Sequence, residues 1–124
     1  MIVADSDVLI DALRGKGPAA DHVRRMLTAG RLATTAVSAF ELHSGARSDR
    51  QRQSVDRLLG ALPILPLDPE AAQAAAEVRR ELEAQGQGIG MADYLIAGIC
   101  VARGAAILTG NRRHFERVAG LEIV

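Results

Sequence analysis

Asp5, Asp7, Glu41, Asp93 and Asn111 are the residues of this 124-residue chain whose types and surroundings point to chemistry. Asp5 and Asp7 directly follow the apolar run Met1–Ala4, and Glu41 stands a few residues after Thr34 and Thr35. Asp93 lies among Met91, Ala92, Tyr94, Leu95, Ile96 and Ala97, and a charge on such a buried helix must be compensated or neutralised. Each acid alone has a structural explanation. Asp93 can interact with the start of its helix, worth roughly 0.3–1 kcal/mol. Glu41 follows Ser38 in a Ser-x-x-Glu capping-box pattern. Asp5 is harder to explain this way, because no helix cap needs both Asp5 and Asp7. Taken together, the acids read as a divalent-cation site. Mg²⁺ takes hard oxygen ligands, usually one or two carboxylates, and keeps several waters. Such an ion can activate water and stabilise charge on a phosphodiester. Zinc is not supported, since His22, His43 and His114 show no His-x₃-His or Cys-His spacing.

The elements that must position these residues alternate between short apolar runs and helical patterns. Strands are expected at Met1–Ala4, Leu32–Val37, Pro63–Leu67, Ala105–Thr109 and Leu121–Val124. Helices are expected at Asp7–Arg14, Ala19–Ala29, Ser38 (as N-cap) to Arg47, Asp49–Leu62, Pro69–Gln85, Met91–Arg103 and Asn111–Val118. Asp68-Pro69 supplies an N-cap and a first-turn proline, and the prolines flanking Ile64-Leu65 suggest a sheet edge. Strands joined by helical crossovers predict a three-layer α/β domain with a parallel sheet, one domain over residues 1–124. In such sheets the functional crevice lies at the carboxyl ends of the strands. Asp5, Glu41, Asp93 and Asn111 can all reach that edge.

Composition sets bounds on the function. Apolar residues make up 48% and charged residues 24%, an ordinary globular balance. Net charge is zero, so a uniformly basic nucleic-acid binder is not indicated. Every basic residue except Lys16 is arginine, and Arg47, Arg50 and Arg52 cluster, as do Arg112, Arg113 and Arg117. These read as solvated helix faces or as local phosphate contacts. The single Cys100 excludes an internal disulfide. With no signal-peptide pattern and no membrane-length apolar stretch, a cytoplasmic protein without membrane association is expected.

Four motifs carry a family resemblance. Ile2-Val3-Ala4-Asp5-Ser6-Asp7-Val8-Leu9-Ile10 resembles the opening of PIN-domain proteins. Thr35-Ala36-Val37-Ser38-Ala39-Phe40-Glu41-Leu42 resembles their second, acidic motif. Met91-Ala92-Asp93-Tyr94-Leu95-Ile96-Ala97 resembles the third, and Leu108-Thr109-Gly110-Asn111-Arg112-Arg113-His114-Phe115 the fourth. The motifs occur in order and cover the whole chain, whose length resembles the VapC toxins of toxin–antitoxin pairs. The resemblance implies a PIN-like five-stranded parallel sheet flanked by helices and a homodimer. It implies an Mg²⁺- or Mn²⁺-dependent endoribonuclease, and a VapB-type antitoxin that occludes the site in a hetero-oligomer. It assigns the metal to Asp5 and Asp93 directly, with Glu41 holding or deprotonating water. Asn111 orients water or a phosphate oxygen, Ser6 and Thr109 line the site, and Asp7 is a secondary candidate. Asn111 stands where many PIN domains carry a fourth acid, which bears on a second metal. Other readings remain. A haloacid-dehalogenase-type phosphatase would use Asp5-Ser6-Asp7, but needs a later Lys or Arg before a second acidic motif; Lys16 comes too early, and no Asp-Asp or Asp-x₃₋₄-Asp motif follows it. A receiver domain lacks its late Lys as well. A PIN fold that only binds, or a PIN nuclease of RNA processing, would share the same acids.

Overall fold

The computed structural model describes all residues 1–124. In chain order the elements are β1 (Ile2–Ala4), α1 (Ser6–Leu13), α2 (Gly17–Thr28), β2 (Leu32–Thr35), α3 (Ala36–Gly45) and α4 (Asp49–Leu59). They continue with β3 (Ile64–Leu65), α5 (Pro69–Ala84), α6 (Met91–Arg103), β4 (Ala106–Leu108) and α7 (Arg112–Phe115). The strands form a parallel sheet in the order β3-β2-β1-β4. Alternation along β1 explains the three layers. Val3 faces a core shared with α5, α6 and α7, whereas Ile2 and Ala4 face a second core with α1 to α4. Ile107 and Leu108 divide between the two cores in the same way. The α/β class and the layering agree with expectation, and β3 is an edge strand as its flanking prolines implied.

The fifth strand does not form. The sheet has four strands, and Leu121–Val124 is reduced to one parallel bridge, Ile107 to Ile123. Ile107 N–H donates to Glu122 O, and Val124 N–H donates to Ile107 O, each at 2.9 Å. A ladder needs consecutive pairs, and this segment reaches β4 for only one. Several boundaries also move: β2 ends at Thr35 rather than Val37, α2 starts at Gly17 rather than Ala19, α4 ends at Leu59 rather than Leu62, and β3 shrinks from Pro63–Leu67 to Ile64–Leu65. Thr35, not Ser38, caps α3: its Oγ1 accepts from Ser38 N–H at 3.0 Å. The last helix shortens from Asn111–Val118 to Arg112–Phe115.

The pairing of α5 with α6 holds Asp93's helix in place, and it depends on Gly98. A Cβ there would lie 2.5 Å from Ala75 Cβ and 2.6 Å from both Ala71 O and Ala75 N. Two of these neighbours are backbone and cannot give way. Gly98→Ala is therefore expected to destabilise the fold by about 3 kcal/mol, at the upper end for overpacking. Urea denaturation checks this, and a variant as stable as the parent would contradict the packing.

Candidate active site

The strand order reverses direction at β1, with β2 on one side and β4 on the other. Crevices in open α/β sheets form at such a switch point, beyond the carboxyl ends of the strands. Asp5 stands there. It caps α1, with Oδ1 accepting from Ser6 N–H at 2.8 Å, and Oδ2 accepts from Thr109 Oγ1 at 2.8 Å, which ties β1 to the end of β4. Asp5 is buried, and so is Thr109. Burial raises the Asp5 carboxyl to about 6, and the neighbouring charges of Asp7 and Asp93 push it the same way. Asp7 accepts from Val8 N–H at 2.7 Å through Oδ1 and from Gly110 N–H at 3.0 Å through Oδ2. Its pKa is raised, chiefly by burial.

Glu41 enters from the helix after β2. Because Thr35 is the cap, Glu41 falls in the second turn of α3, beyond the reach of a capping box. The capping reading of Glu41 is thereby corrected. Its Oε1 instead accepts at 3.1 Å from Oγ of Ser6, the residue that follows Asp5. Asp93 lies in the first turn of α6, and its partner is His114: Nδ1 lies 2.7 Å from Asp93 Oδ2. The same Nδ1 is 2.9 Å from Asn111 Nδ2, and Asn111 N–H donates to Thr109 Oγ1 at 2.9 Å. The four expected residues thus gather at one edge, with Ser6, Thr109 and Asp7 among them. His114 is the site residue that sequence reading passed over. The signal was its position three residues after Asn111, on the same side of a helical turn.

The donor set suits a hard cation. Carboxylate oxygens dominate, and crowding of acids around Asp5 is the kind of repulsion that a cation relieves. No three acidic, His or Cys side chains come close enough to clamp one ion between them. Asp5 and Asp93 could therefore serve as direct ligands only in the manner usual for Mg²⁺, with water completing the shell. Beside Glu41 a groove of about 380 Å³ opens between α1, α3 and α4, with Arg14 and Arg50 among its lining residues. No helix is long and apolar enough to cross a membrane.

Comparison with known proteins agrees with this architecture. A family model described as PIN domain matches residues 2–121. The tRNA(fMet)-specific endonuclease VapC of Shigella flexneri is 33% identical over 121 residues, covering 94% of this chain and 91% of its own length. Ribonuclease VapC10 of Mycobacterium tuberculosis is 36% identical over 115 residues, covering 93% and 86%. A DNA-bound VapBC complex from Salmonella typhimurium superimposes with a TM-score of 0.90 at 29% identity, over 99% of this chain and 96% of that one. A VapBC2 complex from Rickettsia felis bound to promoter DNA shares the fold, with a TM-score of 0.90 at 23% identity over 100% and 98%. With a family match along nearly its whole length and relatives above 30% identity across most of it, the chain belongs to the PIN-domain family, beside relatives named as VapC ribonucleases.

Proposed function

We propose that this protein is a Mg²⁺-dependent endoribonuclease that acts in the cytoplasm as the toxin of a toxin–antitoxin pair. The observation that carries the reading is the gathering of Asp5, Glu41, Asp93 and Asn111 at the switch point of a PIN-type sheet. A bound Mg²⁺, with Mn²⁺ as substitute, would polarise the phosphodiester and make water at the site more acidic. Asp5 and Asp93 would hold the cation, and Thr109 fixes the Asp5 carboxylate by its hydroxyl. Glu41, oriented by Ser6, receives the proton of the attacking water. Asn111 meets a phosphate oxygen. Arg14 and Arg50 in the adjacent groove would contact the flanking RNA backbone.

The toxin role rests on the relatives and on the VapBC complexes that share the fold. A VapB-type antitoxin is the proposed inhibitor, bound in a hetero-oligomer around a toxin homodimer. Phe40 and Met91, both largely exposed and both lining an apolar hollow with Leu67 and Leu95, support a homodimer face. Two relatives named as tRNA(fMet)-specific endonucleases make an initiator tRNA the first RNA to assay.

Expression of the protein alone in bacteria tests the role. Growth should stop with the parent chain and resume on coexpression of the antitoxin encoded beside it. Equal growth with the parent chain and with Asp93→Asn would favour a PIN fold that only binds.

A further inference from the structure

The His114 ring, on α7, touches Asp93 of α6 and Asn111 at the start of its own helix. Nδ1 lies 2.7 Å from Asp93 Oδ2 and 2.9 Å from Asn111 Nδ2. A carboxylate only accepts hydrogen bonds, so Nδ1 carries a proton and donates it toward Asp93. An Nδ1–H cannot also accept from the Asn111 amide NH₂. The oxygen and nitrogen of an amide have the same shape, and their hydrogen bonds decide which is which. The contact is satisfied when Asn111 presents its oxygen to the ring, leaving its NH₂ free on the other side. A continuous hydrogen-bonded chain then links Asp5, Thr109, Asn111, His114 and Asp93. It joins the two acids assigned to the cation, although they lie on β1's end and on α6.

We propose that His114 is a positioning residue of the acid site, its Nδ1–H fixing the Asp93 carboxylate and turning the Asn111 amide so that it offers its NH₂. This rests on the cation-dependent reading above and deepens it. Asn111 becomes a donor to a phosphodiester oxygen rather than a ligand to a second cation. Groups that orient metal-binding side chains typically contribute 10–100-fold to metal affinity. The His114 side chain is 36% exposed, so its replacement leaves no buried cavity.

Three variants separate the donor atom from mere bulk. Asn places an N–H near the position of Nδ1, Gln places one near that of Nε2, and Leu supplies none. Mn²⁺ affinity is measured without RNA by electron paramagnetic resonance, alongside metal-free melting. His114→Asn should bind Mn²⁺ within about threefold of the parent, while His114→Gln and His114→Leu should bind about 10–100-fold more weakly, all melting alike without metal. Parent-like affinity in all three would overturn the proposal. So would an equal loss in all three, which would assign the effect to something other than an Nδ1–H donor. A parent protein that binds no Mn²⁺ would instead defeat the metal reading itself. In that event ¹⁵N resonances of the His114 ring still decide the contact: a proton on Nδ1 supports it, and a bare Nδ1 overturns it.

Discussion

Replacing Asp93 by Asn is expected to lower RNA cleavage by two to three orders of magnitude while leaving the fold intact. The loss is on the scale seen when one charge-stabilising group is removed from a catalytic site. Asn matches Asp in shape and keeps an oxygen that can accept from His114, so the packing of α6 against α7 survives. What disappears is the negative charge. In EDTA this should cost little. Asp93 raises the energy of ionised Asp5, and relief of that repulsion offsets the roughly 0.3–1 kcal/mol that an acid contributes at a helix start. With Mn²⁺ the two proteins should part. A ligand that binds only the folded state stabilises it by RT ln(1 + [L]/Kd), so the parent should melt higher as Mn²⁺ rises and the variant much less. A variant destabilised in EDTA and still stabilised by Mn²⁺ like the parent would remove Asp93 from the site.

Asp5→Asn should make the metal-free protein more stable at pH 7, an unusual sign for a substitution at a buried, hydrogen-bonded residue. The Asp5 carboxyl moves from 3.8 to about 6 in the folded state, which corresponds to roughly 3 kcal/mol. The folded protein holds this proton more tightly than the unfolded chain. Its contribution is therefore fully present below about pH 4 and is lost as pH rises through about 6. Asp7, also raised, adds in the same direction. At pH 7 the parent carries an ionised, buried Asp5, and Asn does not. Asn retains an oxygen for Ser6 N–H and an amide for Thr109 Oγ1. The expected gain is about 1–3 kcal/mol at pH 7, shrinking toward zero near pH 4. Urea denaturation in EDTA across that range measures it. A variant less stable than the parent at pH 7 would show that the Asp5 hydrogen bonds outweigh its desolvation.

Much of this arrangement was legible because it depends on local pattern. Met91–Arg103 is apolar almost all round and forms the buried helix α6 with those bounds. Asp68-Pro69 opens α5 as its cap chemistry dictates, with Asp68 accepting from Ala71 N–H at 2.9 Å. What escaped depends on partners distant in sequence. By residue type Ser38 is the better cap and Thr35 the next. The choice falls to Thr35 because β2 pairs with β3 as far as Thr35 opposite Leu65, and the helix begins directly after. Leu121–Val124 has strand-forming residues, but its pairing depends on how closely it approaches the open edge of β4. Three of the four acidic or amide positions are reached through the ends of short strands, which their spacing makes visible. His114 is not, because its bond to Asp93 spans 21 residues and two elements, and its neighbours Arg112 and Arg113 give it the look of a surface helix.

In the proposed reaction the acids gathered beyond the ends of β1 and β4 cut RNA with the help of a divalent cation. End-labelled single-stranded RNA incubated with purified, antitoxin-free protein tests it most directly, in Mg²⁺ and in EDTA. Endonucleolytic fragments should appear with Mg²⁺ and vanish in EDTA, and return when Mg²⁺ or Mn²⁺ is restored. Cleavage that continues undiminished in EDTA would rule out a divalent cation in the reaction.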